Sequence, residues 1–353
     1  MPAILFSGAY ATVTRPGQAG YQGHDEAAME FLTFSSLDPA FNLALEERLF
    51  DSLPPEHPGL FMLWQNGPSI IVGRHQCTAE EVNADFVRRE NLPVVRRITG
   101  GGAVYHDTGN LNFSFIENAN GQERVNFRRY LEPVREALYD VGVRAEISGR
   151  NDLEVDGRKI SGSGQRIHRG KVLHHGTLLV DVDFGRLSEA LSVDPEKIRS
   201  KGVASVRARV CNLSECWTPG TDMGTLKCCL LRHCAASAAR LDMGDYAAAQ
   251  ALADSKYRQW SWNYGASPAF TEEKRRRFPW GGVNLRLSVR NGRIADCRIY
   301  GDFFANAEIE DLENMLAGLQ HEPGALAEAL EDVPWELYFS GCDPEEMRRF
   351  FAE

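Results

Sequence analysis

Apolar residues recur at helical spacing in several segments of the chain. Asp38 and Pro39 suit an N-cap and a first helical turn, and Phe41, Leu45 and Leu49 follow along one helix face. The same reasoning predicts helices over residues 78–90, 127–141, 186–191, 195–199, 226–241, 245–253, 308–319 and 324–330. Helices are therefore predicted at intervals from residue 38 to residue 330.

Alternating apolar and polar residues predict strands between these helices. Strands are predicted at residues 3–6, 59–65, 69–73, 153–155, 159–160, 175–183, 283–289 and 294–299. The last two are joined by Asn291-Gly292, a strong hairpin signal. Helices and strands mix throughout, so we expect an α+β protein, and the last strands and helices read as a small α+β domain.

The chain length of 353 residues exceeds the usual size of one domain. Residues 1–30 lack sustained periodicity and are expected to form an N-terminal extension. We expect the large domain at residues 31–245 and the small one at residues 246–353.

The formal net charge of −10 argues against non-specific nucleic-acid binding, which requires a basic surface. No apolar run approaches the roughly 18 residues that would span a bilayer. The first residues lack the basic segment of a secretory signal, and the acidic residues that follow argue against a transit peptide. We therefore expect a cytoplasmic protein that binds neither nucleic acid nor membranes.

Eight cysteines are irregularly spaced, which is typical of reduced thiols. Residues 211–234 hold five of them and His233, so a zinc site is an alternative interpretation of this segment. Structural zinc favours tighter paired spacings, and Leu226, Leu230 and Cys234 fit one helix face. We therefore predict core cysteines and no metal site in this segment.

Candidate chemistry centres on residues 94–116, VVRRITGGGAVYHDTGNLNFSFI. Three consecutive glycines let a ligand approach backbone N–H groups, and Arg97 can clamp a carboxylate or a phosphate. A glycine-rich hairpin with solvated arginines remains the alternative.

A second stretch, residues 151–166 (NDLEVDGRKISGSGQR), places Lys159 just after the tight turn Asp156-Gly157. A lysine at such a place can be held above a sheet, although a lone lysine is usually solvated.

Four stretches together resemble the lipoate–protein ligase family, in the same order and with similar gaps. They are RRITGGGAVYHDTGNLNFSF, NDLEVDGRKISGSGQR, HHGTLLVDVD and SKGVASVRARVCNL. The resemblance extends from about residue 31 to the C-terminus. It implies a large mixed-sheet domain of the biotin/lipoate ligase type, followed by the small α+β accessory domain of the long ligases.

The resemblance also implies an activity and a site. The expected reaction adenylates lipoate with ATP and Mg²⁺, then transfers the lipoyl group to a lysine of a lipoyl domain in 2-oxoacid dehydrogenase subunits or the glycine cleavage H protein. Lys159 is implied as the catalytic residue that meets both carboxylate and phosphate, and Arg97 as a nucleotide- and lipoate-binding residue. The remaining implied ATP contacts are Gly102, Ala103, Val104, Tyr105, Asn151 and Asp152, with Mg²⁺ near Asp152.

Two other functions fit parts of the sequence. An octanoyl or lipoyl transferase would need a cysteine nucleophile and no ATP, and Cys77 is the candidate, standing where the family usually has asparagine. A non-catalytic lipoyl-domain-binding module is the second. The pair His174-His175 is a further candidate for catalysis or metal binding. Because adjacent strand residues point to opposite faces, we expect one of the pair to be structural.

Overall fold

A computed structural model describes residues 29–122, 124–149, 151–191, 209–264, 272–290 and 292–352. The predicted strand at residues 3–6, the predicted helix at 195–199 and the hairpin residue Asn291 lie outside the described residues, as does most of the predicted extension.

The described residues form both helices and strands. The strands are β1 (Glu30–Thr33), β2 (Leu60–Trp64), β3 (Ser69–Val72), β4 (Val94–Arg96), β5 (Val104–His106), β6 (Asn110–Asn118), β7 (Glu146–Ser148), β8 (Asp152–Val155), β9 (Arg158–His168), β10 (Lys171–Leu179), β11 (Ser237–Ala238), β12 (Glu272–Phe278), β13 (Gly281–Arg290) and β14 (Arg293–Gly301). The helices are α1 (Pro39–Ser52), α2 (Thr78–Glu81), α3 (Ala84–Glu90), α4 (Phe127–Asp140), α5 (Phe184–Ala190), α6 (Met223–Cys234), α7 (Met243–Leu252), α8 (Trp260–Asn263), α9 (Ile309–Leu316), α10 (Pro323–Ala329), α11 (Trp335–Tyr338) and α12 (Pro344–Ala352).

Eight strands form the main sheet, in the order β11-β1-β2-β6-β10-β9-β8-β7. The pairs β11·β1 and β1·β2 are parallel and the others are antiparallel, so the sheet is mixed as predicted. Because side chains alternate between the two faces of a strand, each face has its own apolar core. Phe61 and Phe113 join α4 and α6 on one face, whereas Met62 and Trp64 join α1 and α7 on the other.

Helix α1 begins as its sequence predicts. Asp38 accepts a hydrogen bond from the Ala40 N–H at 3.0 Å, and Pro39 occupies the first turn. The helix lies inside the protein and buries two polar residues, Asn42 and Glu46, completely. Buried polar groups require partners, so these two residues indicate a polar region under the helix.

A small sheet in the order β4-β3-β5 carries the glycine-rich stretch between β4 and β5. Strand β3 pairs with β4 in parallel and with β5 in antiparallel fashion. The glycine loop is therefore anchored by strands at both of its ends.

The C-terminal part contains the sheet β12-β13-β14 and an apolar core of its own, built on Leu285, Leu287, Ile299 and Trp335. The predicted hairpin is confirmed as β13 and β14. Strand β12 was not predicted, because its sequence EEKRRRF has no apolar alternation; it is an exposed edge strand held by backbone pairing with β13. The α+β prediction is confirmed for both parts.

Two predicted helices differ from the structure. Residues 78–90 form two helices, because Asn83 caps α3 by accepting from the Phe86 N–H and the Asn83 N–H donates to the Ala190 carbonyl. The helix predicted for residues 226–241 ends at Cys234 as α6, so Leu241 is not part of it. Cys229 and Cys234 lie in the core beside α4.

No described helix is both long and apolar enough to cross a membrane. The cytoplasmic location stays a prediction. The predicted domain boundary at 245/246 lies within α7, which packs against α1, and it also stays a prediction.

His174, on the core face of β10, is surrounded by aromatic rings. Tyr130 stacks on it at 4.7 Å between centroids, and Phe113 and Phe127 lie at 6.1 and 5.8 Å. Neither ring nitrogen has a hydrogen-bond partner among the described residues. Burial lowers the pKa of His174 well below its usual value, so the folded protein holds it neutral.

Replacing His174 with Phe or Leu should therefore stabilise the protein. Removing the unpartnered buried nitrogens is expected to raise the free energy of unfolding by about 1–3 kcal/mol at pH 7. As the pH falls below about 6.5, His174 binds a proton in the unfolded chain but not in the folded one, so the wild-type free energy of unfolding decreases. The variants lack this histidine, so their free energy of unfolding should decrease less. Urea denaturation at pH 7 and pH 5 measures both effects; unchanged stability and an unchanged pH dependence would contradict the assignment.

Candidate active site

The glycine loop follows β4 and is held very close to neighbouring backbone. A Cβ atom added to Gly73 would lie 1.9 Å from the Gly101 carbonyl oxygen, and one added to Gly100 would lie 2.2 Å from the Phe303 oxygen. Gly101 has φ +94°, a conformation that favours glycine. At Gly102 an added Cβ would meet nothing within 4 Å. The loop therefore needs glycine at its base for packing, while Gly102 is open.

Arg97 lies beneath the loop and is buried, with 8% of the residue exposed. Its Nη2 donates to the carbonyls of Gly100 at 2.7 Å and Gly102 at 2.9 Å, and its Nε donates to Thr99 at 3.1 Å. Burial lowers the pKa of Arg97 to about 10, so the guanidinium stays charged at neutral pH. Arg97 thus shapes the loop through its carbonyls and brings a positive charge to the site.

Lys159 follows the predicted tight turn, in which Asp156 and Gly157 both have positive φ (50° and 71°). The Lys159 Nζ lies 2.8 Å from Asp152 Oδ1. It also lies over Gly162, since a Cβ added there would be 2.8 Å from Nζ. The backbone is fixed too, because the Lys159 carbonyl accepts from the Cys211 N–H at 3.0 Å. The ammonium group is therefore held above the main sheet.

Lys159 and the glycine loop share one cavity of about 670 Å³, counting its open mouth. Gly102, Ala103, Val104, Asn151 and Arg97 also line it. Tyr105 does not, because side chains alternate along β5: Val104 and His106 face the cavity, and Tyr105 is buried in the opposite core. Asp152 stands beside Lys159. The roles implied for these residues stay predictions.

A buried hydrogen-bond network that the sequence did not predict lies at the inner side of the cavity. Thr99 Oγ1 lies 2.7 Å from His175 Nε2, and His175 Nδ1 lies 2.9 and 3.0 Å from the two oxygens of Glu46. Ser114 donates to Glu46 at 2.5 Å and accepts from Trp64 at 2.9 Å. The sequence held one indication of this network, because Glu46 lies within the apolar run that forms α1.

The two adjacent histidines point to opposite faces of β10, as expected. His175 lines the cavity, and His174 lies in the core on the other face. Such a division follows from strand geometry alone.

Cys77 lies outside this cavity, among the residues that line a crevice with Arg277 and Tyr300. Burial raises the pKa of its thiol, which disfavours the nucleophilic thiolate at neutral pH. The described residues contain no group of three or more histidine, cysteine or acidic side chains placed to hold a metal ion.

Comparison with known proteins agrees with this geometry. Residues 38–235 match the family described as the lipoyl protein ligase A/B catalytic domain, and residues 267–351 match the bacterial lipoate protein ligase C-terminus. The chain belongs to the lipoate–protein ligase family. The resemblance seen in the sequence and the predicted enzyme class, a ligase, are thereby confirmed.

Two relatives match the chain over most of its length. The lipoate–protein ligase LplJ of Bacillus subtilis is 42% identical over 317 residues, which are 88% of this chain and 96% of the relative. The lipoate–protein ligase 1 of Staphylococcus aureus is 40% identical over 329 residues, which are 92% of this chain and 100% of the relative.

Known structures of ligases share the fold. P. falciparum LipL1, in complex with lipoate, has a TM-score of 0.76 at 24% identity and covers 92% of this chain and 99% of its own. A bipartite ligase of Thermoplasma acidophilum, studied with its E2 lipoyl domain, has a TM-score of 0.61 at 28% identity, covering 70% and 100%. Lipoate–protein ligase A bound with ATP has a TM-score of 0.58 at 25% identity, covering 68% and 99%. The predicted lipoate ligase fold is confirmed.

Proposed function

We propose that this lipoate–protein ligase activates lipoate at Lys159 and transfers the lipoyl group to a lysine of a lipoyl domain. In the first step a carboxylate oxygen of lipoate attacks the α-phosphorus of ATP, and pyrophosphate leaves. In the second step the acceptor lysine amine attacks the acyl carbonyl, and AMP leaves. The observation that carries the proposal is the single cavity shared by Lys159 and the glycine loop.

The main sheet supplies a track for the acyl chain. Cross-strand pairing places Asp152, Gly162, Thr177, Asn112 and Trp64 in one row on the cavity face. The Lys159 ammonium stands over Gly162, two strands from Asn112, a separation of about 10 Å. This span is close to an extended eight-carbon chain, so a carboxylate at Lys159 places the distal end near Asn112 and Trp64.

The nucleotide is assigned to the glycine loop and its strand β5. Gly102 is open, so the α-phosphate can approach the backbone there, and Ala103 and Val104 can lie against the nucleoside. Lys159 stands between this loop and the acyl track, where it can neutralise charge on both reacting groups. The buried Arg97 guanidinium, beneath the loop, adds a second positive charge to the same cavity.

Mg²⁺ is expected to arrive with ATP. Asp152 is the carboxylate beside Lys159, and its Oδ1 lies 2.8 Å from the lysine ammonium. Because this carboxylate is already paired, Mg²⁺ would be held mainly by phosphate oxygens rather than by a cage of protein ligands. Bound Mg²⁺ would offset phosphate charge. The residues that the chain itself contributes to the reaction are then Lys159 and the donors of the loop.

The acceptor is proposed to be an apo lipoyl domain. Support comes from the Thermoplasma acidophilum ligase, which was described together with its E2 lipoyl domain. The glycine cleavage H protein is proposed as an alternative acceptor on the basis of the family resemblance.

One assay separates this proposal from the cysteine-dependent transferase. With lipoate, ATP and an apo lipoyl domain, the protein should release pyrophosphate and modify the acceptor, and omitting ATP should abolish modification. Cys77→Ala should react at the wild-type rate, because Cys77 lies outside the cavity and its raised pKa disfavours the thiolate. Acylation without ATP that is lost in Cys77→Ala would establish the transferase instead. Binding of lipoyl domains with no turnover would establish the non-catalytic module.

A further inference from the structure

His106 carries a ring nitrogen that the hydrogen bonds of the protein leave free. It is 3% exposed and lines the cavity, and its Nε2 has no partner among the described residues. Its Nδ1 lies 3.0 Å from the Asn66 Nδ2. Burial lowers the pKa of His106 to about 3, so the ring is neutral and one nitrogen carries the proton.

Backbone groups decide which nitrogen that is. The Asn42 amide nitrogen donates to the carbonyls of Ser36 and Gln65, at 3.0 and 2.9 Å, which fixes its orientation. The Asn66 Oδ1 lies 2.9 Å from the same nitrogen and shares one of its two hydrogens with a backbone carbonyl, so this oxygen faces Asn42. The Asn66 amide therefore turns its Nδ2 toward His106, whose Nδ1 must accept. The proton of His106 is consequently on Nε2, which is a hydrogen-bond donor.

Asn112 provides a second unused donor in the same cavity. It is 2% exposed, and its Oδ1 accepts from the Asn110 amide at 2.9 Å. Its Nδ2 has no partner in the described part of the chain. Asn112 lies beside Trp64 in the row across the sheet, at the end of the acyl track far from Lys159. Two buried N–H donors thus face a region whose other walls include Leu43 and Ile71.

We propose that His106 and Asn112 select lipoate over octanoate by offering two N–H donors to the dithiolane sulfurs at the distal end of the acyl chain. The inference rests on the proposed function and deepens it. Sulfur accepts hydrogen bonds weakly, whereas the end of an octanoyl chain accepts none and leaves both donors unsatisfied. A site with buried donors discriminates against an analogue that lacks the matching acceptor.

Pyrophosphate release with each acid tests the inference. Wild type should have a kcat/KM for lipoate about 10²-fold above that for octanoate. Asn112→Leu, of similar size, should raise the KM for lipoate and lower the KM for octanoate, reducing the preference about tenfold. These opposite changes cannot result from partial misfolding, which would harm both acids. Ile71→Val is the matched control: it alters the cavity wall without removing a donor, so both acids should change in the same direction.

Nitrogen NMR gives an independent readout. The His106 ring in wild type should show a protonated Nε2 and an unprotonated Nδ1, and bound lipoate should shift the Nε2 resonance more than bound octanoate does. Equal use of the two acids by wild type, or equal losses for both in Asn112→Leu, would overturn the inference while leaving the ligase function intact. If neither acid produces pyrophosphate, the proposed function fails, and the inference with it.

Discussion

Lys159→Ala should lower the rate of lipoate-dependent pyrophosphate release by about 10²-fold or more, an increase of roughly 3 kcal/mol in the activation barrier. The Nζ lies over Gly162 in the cavity that it shares with the glycine loop, where the proposed reaction would bring the carboxylate and the α-phosphate together. Truncation should not unfold the protein, because the side chain is 39% exposed and the backbone carbonyl keeps its bond to the Cys211 N–H. The loss should therefore be in kcat, with an unchanged melting temperature.

Arg158→Ala is the matched control for this substitution. Arg158 precedes Lys159 on β9, and its guanidinium lies 3.4 Å from Glu215, outside the cavity. Removing this charge should leave the reaction rate close to wild type. Equal rates for Lys159→Ala and wild type would show that the catalytic role has been assigned to the wrong residue, and equal losses in both variants would point to general electrostatics.

Gly73→Ala should destabilise the protein by about 3 kcal/mol and reduce activity at the same time. An added Cβ would lie 1.9 Å from the Gly101 carbonyl oxygen, so either the strand end or the loop must move. The Gly73 N–H and carbonyl are also engaged, with Gln76 and Arg96, both at 2.8 Å, which leaves the backbone little freedom to relax. Denaturant unfolding measures the loss of stability, and the pyrophosphate assay measures the loss of activity.

Gly102→Ala separates packing from ligand binding. Its added Cβ meets no protein atom within 4 Å, and its φ is not positive, so stability should stay within about 1 kcal/mol of wild type. The KM for ATP should rise, because the new methyl group occupies the open face of the loop. If Gly73→Ala proves as stable as Gly102→Ala, the close backbone approach at the base of the loop does not exist in solution.

Local chemistry explains which elements the sequence could predict. Asp38 and Pro39 define the start of α1 because capping involves neighbouring residues only, and Asp156-Gly157 defines the lysine turn for the same reason. The break at Asn83 has a local part, the cap on α3, and a distant part, the hydrogen bond from the Asn83 N–H to the Ala190 carbonyl more than a hundred residues away, and periodicity alone showed neither. Strand β12 carries no apolar alternation, because only Phe278 at its end enters the core, and its pairing with β13 joins residues that local pattern does not connect.

The same distinction applies to the candidate site. The glycine loop and Lys159 lie in compact motifs, so the sequence identified them and the resemblance suggested their meeting. The network of Thr99, His175 and Glu46 brings together side chains from the glycine loop, strand β10 and helix α1, which lie far apart in sequence, so only the folded structure shows that they meet. The proton position of His106 depends on a chain of amides that ends at two backbone carbonyls, which no pattern of residue types reveals.

The glycine loop is buttressed from the C-terminal part of the chain. The Gly101 N–H donates to the Phe303 carbonyl at 3.3 Å, and the Phe303 ring stacks on His75 at 4.8 Å between centroids. Substitutions near Phe303 should therefore change the position of the loop, and with it the affinity of the proposed nucleotide site. If the C-terminal parts of two ligases are exchanged, the residues that contact Phe303, namely Gly101 and His75, should be exchanged together with it.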